Sequence, residues 1–418
     1  MGEDPMAKKP TSDSASSRSS SGGLLDIING ITSEMGIEEA RSFKPVPTGI
    51  NVLDYYNARY FNDHETGTQV LFSGMPMGKL IMQIGYTGTH KTTLAVQAAM
   101  ALVAPFDHGT VFHIDLENAF SKERVIDITG LPMDVVERKY RRLPPMSLDK
   151  IYALVKKIIF AKKKAMAEDP SVWVEDPRTG ECIPTPTVII VDTVAALQSE
   201  TVMNENEEMG SLLFESGSQA KANNAFAQRL AGMIGEVNIT LYAVNHLRID
   251  PGPSGGPSKA KRIQYLNQDE TCPGGTGFPQ FSDYMLKMTP VKMDDGFGIP
   301  GKIIRCTVVK TRLSYDGRQF HLVATDNGIS NTWTNLLFLK EQKLLKGAGG
   351  HLYLEAPDGR VTRKFAQKNW AELYEGDEEF RDIADCLLEA ELLKLVPQPG
   401  SPEEAEVLAA AEGNTAAT

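Results

Sequence analysis

Residues 84–93 read IGYTGTHKTT, and within them Gly85, Lys91 and Thr92 stand at the spacing of a phosphate-binding loop, G-x-x-x-x-G-K-[ST]. In such a loop, here Gly85, Tyr86, Thr87, Gly88, Thr89, His90, Lys91, Thr92 and Thr93, backbone N–H groups and the following helix N-terminus surround the phosphates. The lysine reaches the β- and γ-phosphates, and the Thr92 hydroxyl holds Mg²⁺. His90 stands where the second glycine belongs. A residue with a Cβ fits there if its φ stays negative, so His90 is expected to handicap the loop without abolishing it. A generic Gly/Thr turn is the competing reading. Two carboxylates extend the chemistry. Asp192 ends the apolar run TVIIVD, where a Mg²⁺-associated water would be held opposite a phosphate loop, unless it only caps the next turn. Glu117, in VFHIDLENAF, follows another apolar run, where a carboxylate could orient a water for attack on the γ-phosphate.

Those residues need elements to position them. KLIMQIG leads into the loop as a strand, and TTLAVQAAMALVA leaves it as a helix with apolar residues at mixed three- and four-residue spacing. The runs GTVFHID (109–115), TVIIVD (187–192), ITLYAVN (239–245) and IIRCTVVK (303–310) are β-rich, with helical patterns between several of them. TVIIVD is apolar almost throughout, as a parallel strand covered on both faces must be. The expectation is an α/β fold with a mainly parallel central sheet.

Composition bounds the rest. A chain of 418 residues can hold one large core and a smaller module. No apolar run is long enough to cross a bilayer and no signal peptide is evident, so a cytoplasmic location is expected, with no membrane partner. The cysteines, Cys182, Cys272, Cys306 and Cys386, are too scattered for a zinc cluster or a disulfide framework. A net charge of −11 argues against bulk coating of nucleic acid, though not against a local basic strip. PTSDSASSRSSSGG lacks the apolar content to order itself. The LLDIINGITSEMG pattern after it is too short a helix to stand alone in water. PGSPEEAEVLAAAEGNTAAT is an acidic tail.

Taken in order, SGMPMGKLIMQIGYTGTHKTTLAVQAA, HIDLENAF, VIIVDTVAALQSE, YAVNHLR, GGTGFPQF and VVKTRL resemble the core of the RecA recombinase family. PVPTGINVLD is similar to that core's first segment, and the likeness runs on through DNGISNTWTNLLFLKEQKLLKGAGGHLYL. A changed glycine in the phosphate loop resembles UvsX-type phage recombinases. The resemblance implies a RecA-type P-loop ATPase core at 46–330, with a disordered N-terminus at 1–22 and an oligomerisation helix and linker at 23–45. A small α+β C-terminal domain would follow at 331–396 and an acidic disordered tail at 397–418. The segment 161–186 exceeds what the family needs and is expected to be a surface insertion.

The resemblance also implies roles. ATP and Mg²⁺ would be the cofactors, with Lys91 and Thr92 on phosphate and metal, Asp192 assisting the metal and Glu117 as the base. His246 falls where the family places a glutamine that senses the γ-phosphate, and imidazole adds a titrating group there. Lys310 and Arg312 match basic positions that reach into a neighbour's ATP site across a filament interface. Ser121 and Arg124 fall near the adenine-contacting positions. DNA contact would come from loops at 204–224 and 250–281, the second with Lys259, Lys261 and Arg262 for phosphates and Gly274 and Gly275 for backbone approach. Tyr265 or Phe278 would meet bases, and Arg248 stands at the loop's start. The implied protein forms a helical filament on single-stranded DNA and pairs it with homologous duplex, with a single-strand-binding protein and a loader as further candidate partners. A hexameric helicase-like motor and a nucleotide-gated DNA-binding scaffold with weak turnover are the alternatives.

Overall fold

The structure, a computed structural model, describes residue 34 and residues 41–62, 67–200, 216–249, 263–267, 269–291, 298–348 and 350–398. Residues 42–418 form one compact unit; of the other, Met1–Arg41, the described residues include only Glu34 and Arg41. The expected disordered N-terminus, the LLDIING arm and most of the acidic tail therefore lie outside the described residues, as do Lys259, Lys261 and Arg262.

Helix α1 (Asn51–Tyr56) precedes the hairpin of β1 (Arg59–Asn62) and β2 (Gln69–Phe72). Then come β3 (Leu80–Gly85), α2 (Lys91–Val103), β4 (Thr110–Asp115), α3 (Lys122–Thr129), α4 (Met133–Lys139), β5 (Tyr140–Leu143) and the long α5 (Leu148–Glu168). The pair β6 (Trp173–Glu175) and β7 (Cys182–Pro184) leads to β8 (Thr187–Asp192), α6 (Ser216–Ile234) and β9 (Ile239–His246). Strand β10 (Arg248–Ile249) pairs with β11 (Glu270–Thr271). After these follow α7 (Gly277–Phe281), β12 (Tyr284–Pro290), β13 (Lys302–Thr311), β14 (Gln319–Thr325), β15 (Gly328–Ile329), α8 (Asn331–Glu341), α9 (Trp370–Gly376) and α10 (Glu378–Leu393).

The protein is mixed α/β, built on one nine-stranded sheet in the order β15-β14-β13-β12-β3-β9-β8-β4-β5. From β12 to β5 every pairing is parallel, and the β12–β15 flank is antiparallel. Every residue of β3 and of β8 is buried, because helices cover both faces. One apolar layer joins Ile81, Val188 and Ile190 to Leu94, Val96 and Ala99 of α2. The opposite layer joins Leu80, Met82 and Ile189 to Ile151 and Val155 of α5 and Leu230 of α6. The period-2 alternation of each strand thus splits its side chains between two helical layers.

Three segments add detail to this frame, and the first of them differs from expectation. The 204–224 stretch was expected as a loop, but Ser216 already begins α6, whose Ala220 and Asn223 pack against Gly274 and Gly275. Tertiary contact there outweighs the weak helical pattern of SGSQAKANN. The 161–186 segment holds the last turns of α5 and the β6–β7 hairpin, tied down by a Trp173 Nε1 to Met166 carbonyl bond of 3.0 Å and by buried Ile183. Asp377 separates α9 from α10: its side chain accepts from Phe380 N at 3.1 Å and starts α10. Leu336, Trp370, Phe380 and Leu388 of this C-terminal region share an apolar layer with Val52 and Ile304 of the sheet unit. Among the described residues no helix is long and apolar enough to cross a membrane, and all four cysteines are free.

Parallel pairing sets where the site must be. Register places Gly85 opposite His246 and Asp115 opposite Asp192, so the carboxyl ends of β3, β9, β8 and β4 fall along one edge. In open α/β sheets that edge is where ligands bind.

Candidate functional site

Glycine is required where β3 ends. A Cβ on Gly85 would strike the Met288 carbonyl of β12 and lie 2.8 Å from Thr89 Oγ1. The turn from β3 into α2 closes with Thr89 Oγ1 donating to the Tyr86 carbonyl at 2.7 Å, while Thr87 and Gly88 are exposed and Gly88 has φ +76°. His90 follows at φ 58° and ψ 29°, in the left-handed region. The negative φ under which a Cβ fits without strain is therefore not met. The loop turns into the helix through a left-handed residue, the conformation that glycine supplies without strain, and the histidine bears a cost of about 1–2 kcal/mol for it. Its side chain makes no capping bond to α2. Burial holds the imidazole below its ordinary pKa, helped by Lys302 and Arg124 and opposed by Asp326.

Lys91 and Thr92 open α2, backed by buried Thr93. The Lys91 ammonium donates to the Tyr86 carbonyl at 2.8 Å. Burial draws its pKa down to about 8, against Asp192 and Glu117, which hold it up. Thr92 Oγ1 donates to Asp192 Oδ2 at 2.7 Å, joining the start of α2 to the end of β8. Both are oxygen donors of the hard kind that Mg²⁺ takes. From the next loop, Glu117 Oε1 meets His246 Nε2 at 2.9 Å, with both side chains partly exposed. The two residues expected as base and phosphate sensor therefore touch each other. Leu247 N, just past His246, donates to the Gly85 carbonyl at 2.9 Å and ties β9 to the loop's first residue.

Around this centre stand residues that motif reading missed. His113 and Asp115 lie on the same face of β4 as the loop helix, and His113 Nε2 is 3.8 Å from Asp192 Oδ2. His113 Nδ1 bonds the Tyr140 hydroxyl at 2.6 Å, and Arg142 Nε donates to Asp115 Oδ2 at 3.1 Å. Burial favours a neutral Asp115, but the Phe120 and Ala119 N–H groups, His113 and Arg142 together hold its pKa below the usual range. The alternation in VFHID carried the signal: residues 113 and 115 share a face by period two. Ser121 caps α3, accepting from Arg124 N at 3.2 Å, and Arg124 Nη1 donates to the Asp326 carbonyl. Both are exposed.

The second loop is bound to the same centre. Tyr86 OH donates to Glu270 Oε1 at 2.9 Å, and buried Glu270 pairs with buried Lys287 and accepts from Asn267 N at 2.7 Å. Asn245 Nδ2, beside His246, donates to the Pro273 carbonyl at 2.8 Å. Gly274 and Gly275 have φ of +91° and +86°, and added Cβ atoms would meet Asn223 and Ala220 of α6, so helix packing accounts for both glycines. Phe278 is 1% exposed and packs on Phe226, with ring centroids 5.6 Å apart. It is a core residue, and the expectation that it meets bases is corrected. Tyr265 is 41% exposed, and Arg248 is exposed on β10. Lys310 and Arg312 are not brought to Lys91. Lys310 Nζ donates to the Gln280 carbonyl at 2.7 Å and Arg312 Nε lies 3.3 Å from Asp283 Oδ1. Register puts Thr311 opposite Tyr284 and Tyr284 opposite Ile81, at the far end of β3 from Gly85. At ~3.3 Å per residue that is roughly 15–20 Å from the phosphate-loop turn.

The class that fold and geometry define is a mixed α/β protein whose ionisable side chains converge at the carboxyl edge of a mostly parallel sheet. No family model and no curated protein matches the chain. Among solved structures it is similar to the crystal structure of the RadB recombinase, with TM-score 0.39 and 16% identity over 62% of this chain and 92% of that one. That likeness is too distant to assign a fold or an activity.

Proposed function

We propose that the chain is an ATP-dependent homologous-recombination protein of the RecA type, a DNA-dependent ATPase that forms filaments on single-stranded DNA and pairs it with homologous duplex. The observation that supports it is the convergence of Lys91, Thr92, Asp192 and the Glu117–His246 pair at one sheet edge. The ATP phosphates would follow the backbone of residues 85–93, and Lys91 would leave the Tyr86 carbonyl for them. Thr92 and Asp192 would hold Mg²⁺, which neutralises charge on the β- and γ-phosphates. Glu117 would orient the attacking water, with His246 sharing its carboxylate and carrying the state of the site through Asn245 to the second loop. Ser121 and Arg124 would line the nucleobase side.

Lys310 and Arg312, at the opposite sheet end, would serve a neighbouring protomer's nucleotide, so ATP would bind between subunits and its hydrolysis would loosen the filament. Arg248, Lys259, Lys261, Arg262 and Tyr265 would contact DNA, with Gly274 and Gly275 setting the loop's base. The substituted loop position at His90 favours a phage-type member working in the host cytoplasm, with a single-strand-binding protein and a loader as partners. The domain limits at 46–330 and 331–396 belong to the same proposal. The test is the steady-state ATPase rate with and without single-stranded DNA, beside Lys91→Ala and Glu117→Gln. A DNA-stimulated rate lost in both variants is expected. Nucleotide binding without turnover would replace the reading with a gated scaffold, and turnover indifferent to DNA would replace it with a motor.

A further inference from the structure

His113, Asp115 and Asp192 are all buried, and each offers one ligand atom within 4.8 Å of the others. His113 Nε2 is buried without a hydrogen-bond partner, and it faces Asp192 Oδ2 at 3.8 Å, too far for a hydrogen bond. A buried imidazole nitrogen left so beside a carboxylate loses the water it had in the unfolded chain and gains no hydrogen bond in return. A cation between them would supply the missing partner. An ion about 2.1 Å from each atom would subtend about 130°, and a contraction of about 0.4 Å would restore the tetrahedral angle.

The surroundings are those of a built ligand set. Strand β5 runs beside β4 with Tyr140 opposite Val111 and Arg142 opposite His113. Two of its residues brace the two β4 ligands from outside: buried Tyr140 OH holds His113 Nδ1 at 2.6 Å, and Arg142, at the exposed rim, holds Asp115 Oδ2 through Nε at 3.1 Å. A bound cation would take the tautomer in which Nδ1–H is donated to the tyrosine oxygen and the Nε2 lone pair faces Asp192, the deprotonated form of the imidazole that metal binding selects. Bracing of ligands by a second row of hydrogen bonds is how metal sites fix tautomer and orientation. Thr92 Oγ1, on Asp192 at 2.7 Å, opens the group toward the phosphate-loop turn and offers a further oxygen.

We propose that His113, Asp115 and Asp192 bind a divalent transition-metal cation of the Mn²⁺, Co²⁺ or Zn²⁺ class, beside the oxygen-only position at Thr92. An imidazole ligand selects this class over Mg²⁺, which takes oxygen and keeps its water. The inference sharpens the ATPase reading by naming a cation that reading does not require, and it is tested without nucleotide so that either can fail alone.

The full chain, stripped with a chelator and free of nucleotide, is titrated with Co²⁺ while the visible d–d absorption is followed, and Mg²⁺ is then added as competitor. One Co²⁺ per chain is expected, displaced only by at least a hundredfold excess of Mg²⁺. His113→Phe is expected to weaken Co²⁺ by at least about thirtyfold. Tyr140→Phe keeps the ring in place and removes only the brace, and about a tenfold loss is expected. A purely structural Tyr140 would lower the melting temperature and leave the Co²⁺ affinity alone. The proposal is overturned if Mg²⁺ competes on equal terms, or if the Co²⁺ spectrum and affinity survive in His113→Phe. Should that variant not fold, unchanged affinity in Tyr140→Phe overturns it equally. Binding of a fluorescent ATP analogue in Mg²⁺ is measured separately; its absence from the wild type counts against the ATPase and not against the cation site.

Discussion

Replacing His90 by glycine tests the loop's geometry through the sign of one number. At φ 58° the histidine bears the left-handed penalty of an L-residue, about 1–2 kcal/mol, and its side chain makes no capping bond that the change would forfeit. Glycine removes that penalty but adds unfolded-chain freedom costing about 0.5–1 kcal/mol. The net expectation is a gain of about 0.5–1 kcal/mol. With a urea dependence of about 3 kcal/mol per molar, the unfolding midpoint should rise by about 0.2–0.3 M with unchanged slope. His90→Ala keeps the left-handed penalty and should show no such gain. If the backbone at residue 90 had the negative φ at which a Cβ fits without strain, glycine would instead lower the midpoint by a similar amount. A fall in His90→Gly would therefore refute the left-handed loop and the account of why this motif prefers glycine.

Other expectations follow from single contacts. In the nucleotide-free protein Lys91 gives up its proton near pH 8, while bound phosphates favour the charged form. ATP binding should then take up a proton above pH 8, its affinity falling by up to tenfold per pH unit, with no such slope in Lys91→Met; binding isotherms at pH 7, 8 and 9 would show it. Gly277→Ala would press a Cβ onto the Asn224 backbone, 2.9 Å from its nitrogen, so α6 and α7 must separate at a cost of about 1–3 kcal/mol, measured by denaturation. Lys287→Met strands buried Glu270 and should cost about 3–5 kcal/mol, most of which Glu270→Gln in the same chain restores; equal losses in the single and double variants would show that packing and not charge is at stake.

Local periodicity carries what the sequence determines here. The runs of β3, β4, β8, β9 and β13 were each legible within about a residue, because apolar strands covered on both faces leave a continuous signal. Their parallel order let Asp192 be placed opposite the loop helix, and the 2.7 Å bond to Thr92 lies there. Tertiary structure alone decided the rest. The sign of φ at His90 depends on how α2 must leave the sheet, which no single residue type encodes. Phe278 looked like a base-stacking residue in a Gly- and Pro-rich loop, and only the α6 face against it makes it core. His113, Tyr140 and Arg142 come from two strands that meet only through sheet pairing, so no spacing along the chain joins them to Asp192. Lys310 and Arg312 are separated from Lys91 because β12 and β13 run antiparallel, a pairing fixed by contacts remote in sequence. Motifs record which groups a segment can offer; long-range pairing records which of them share a space.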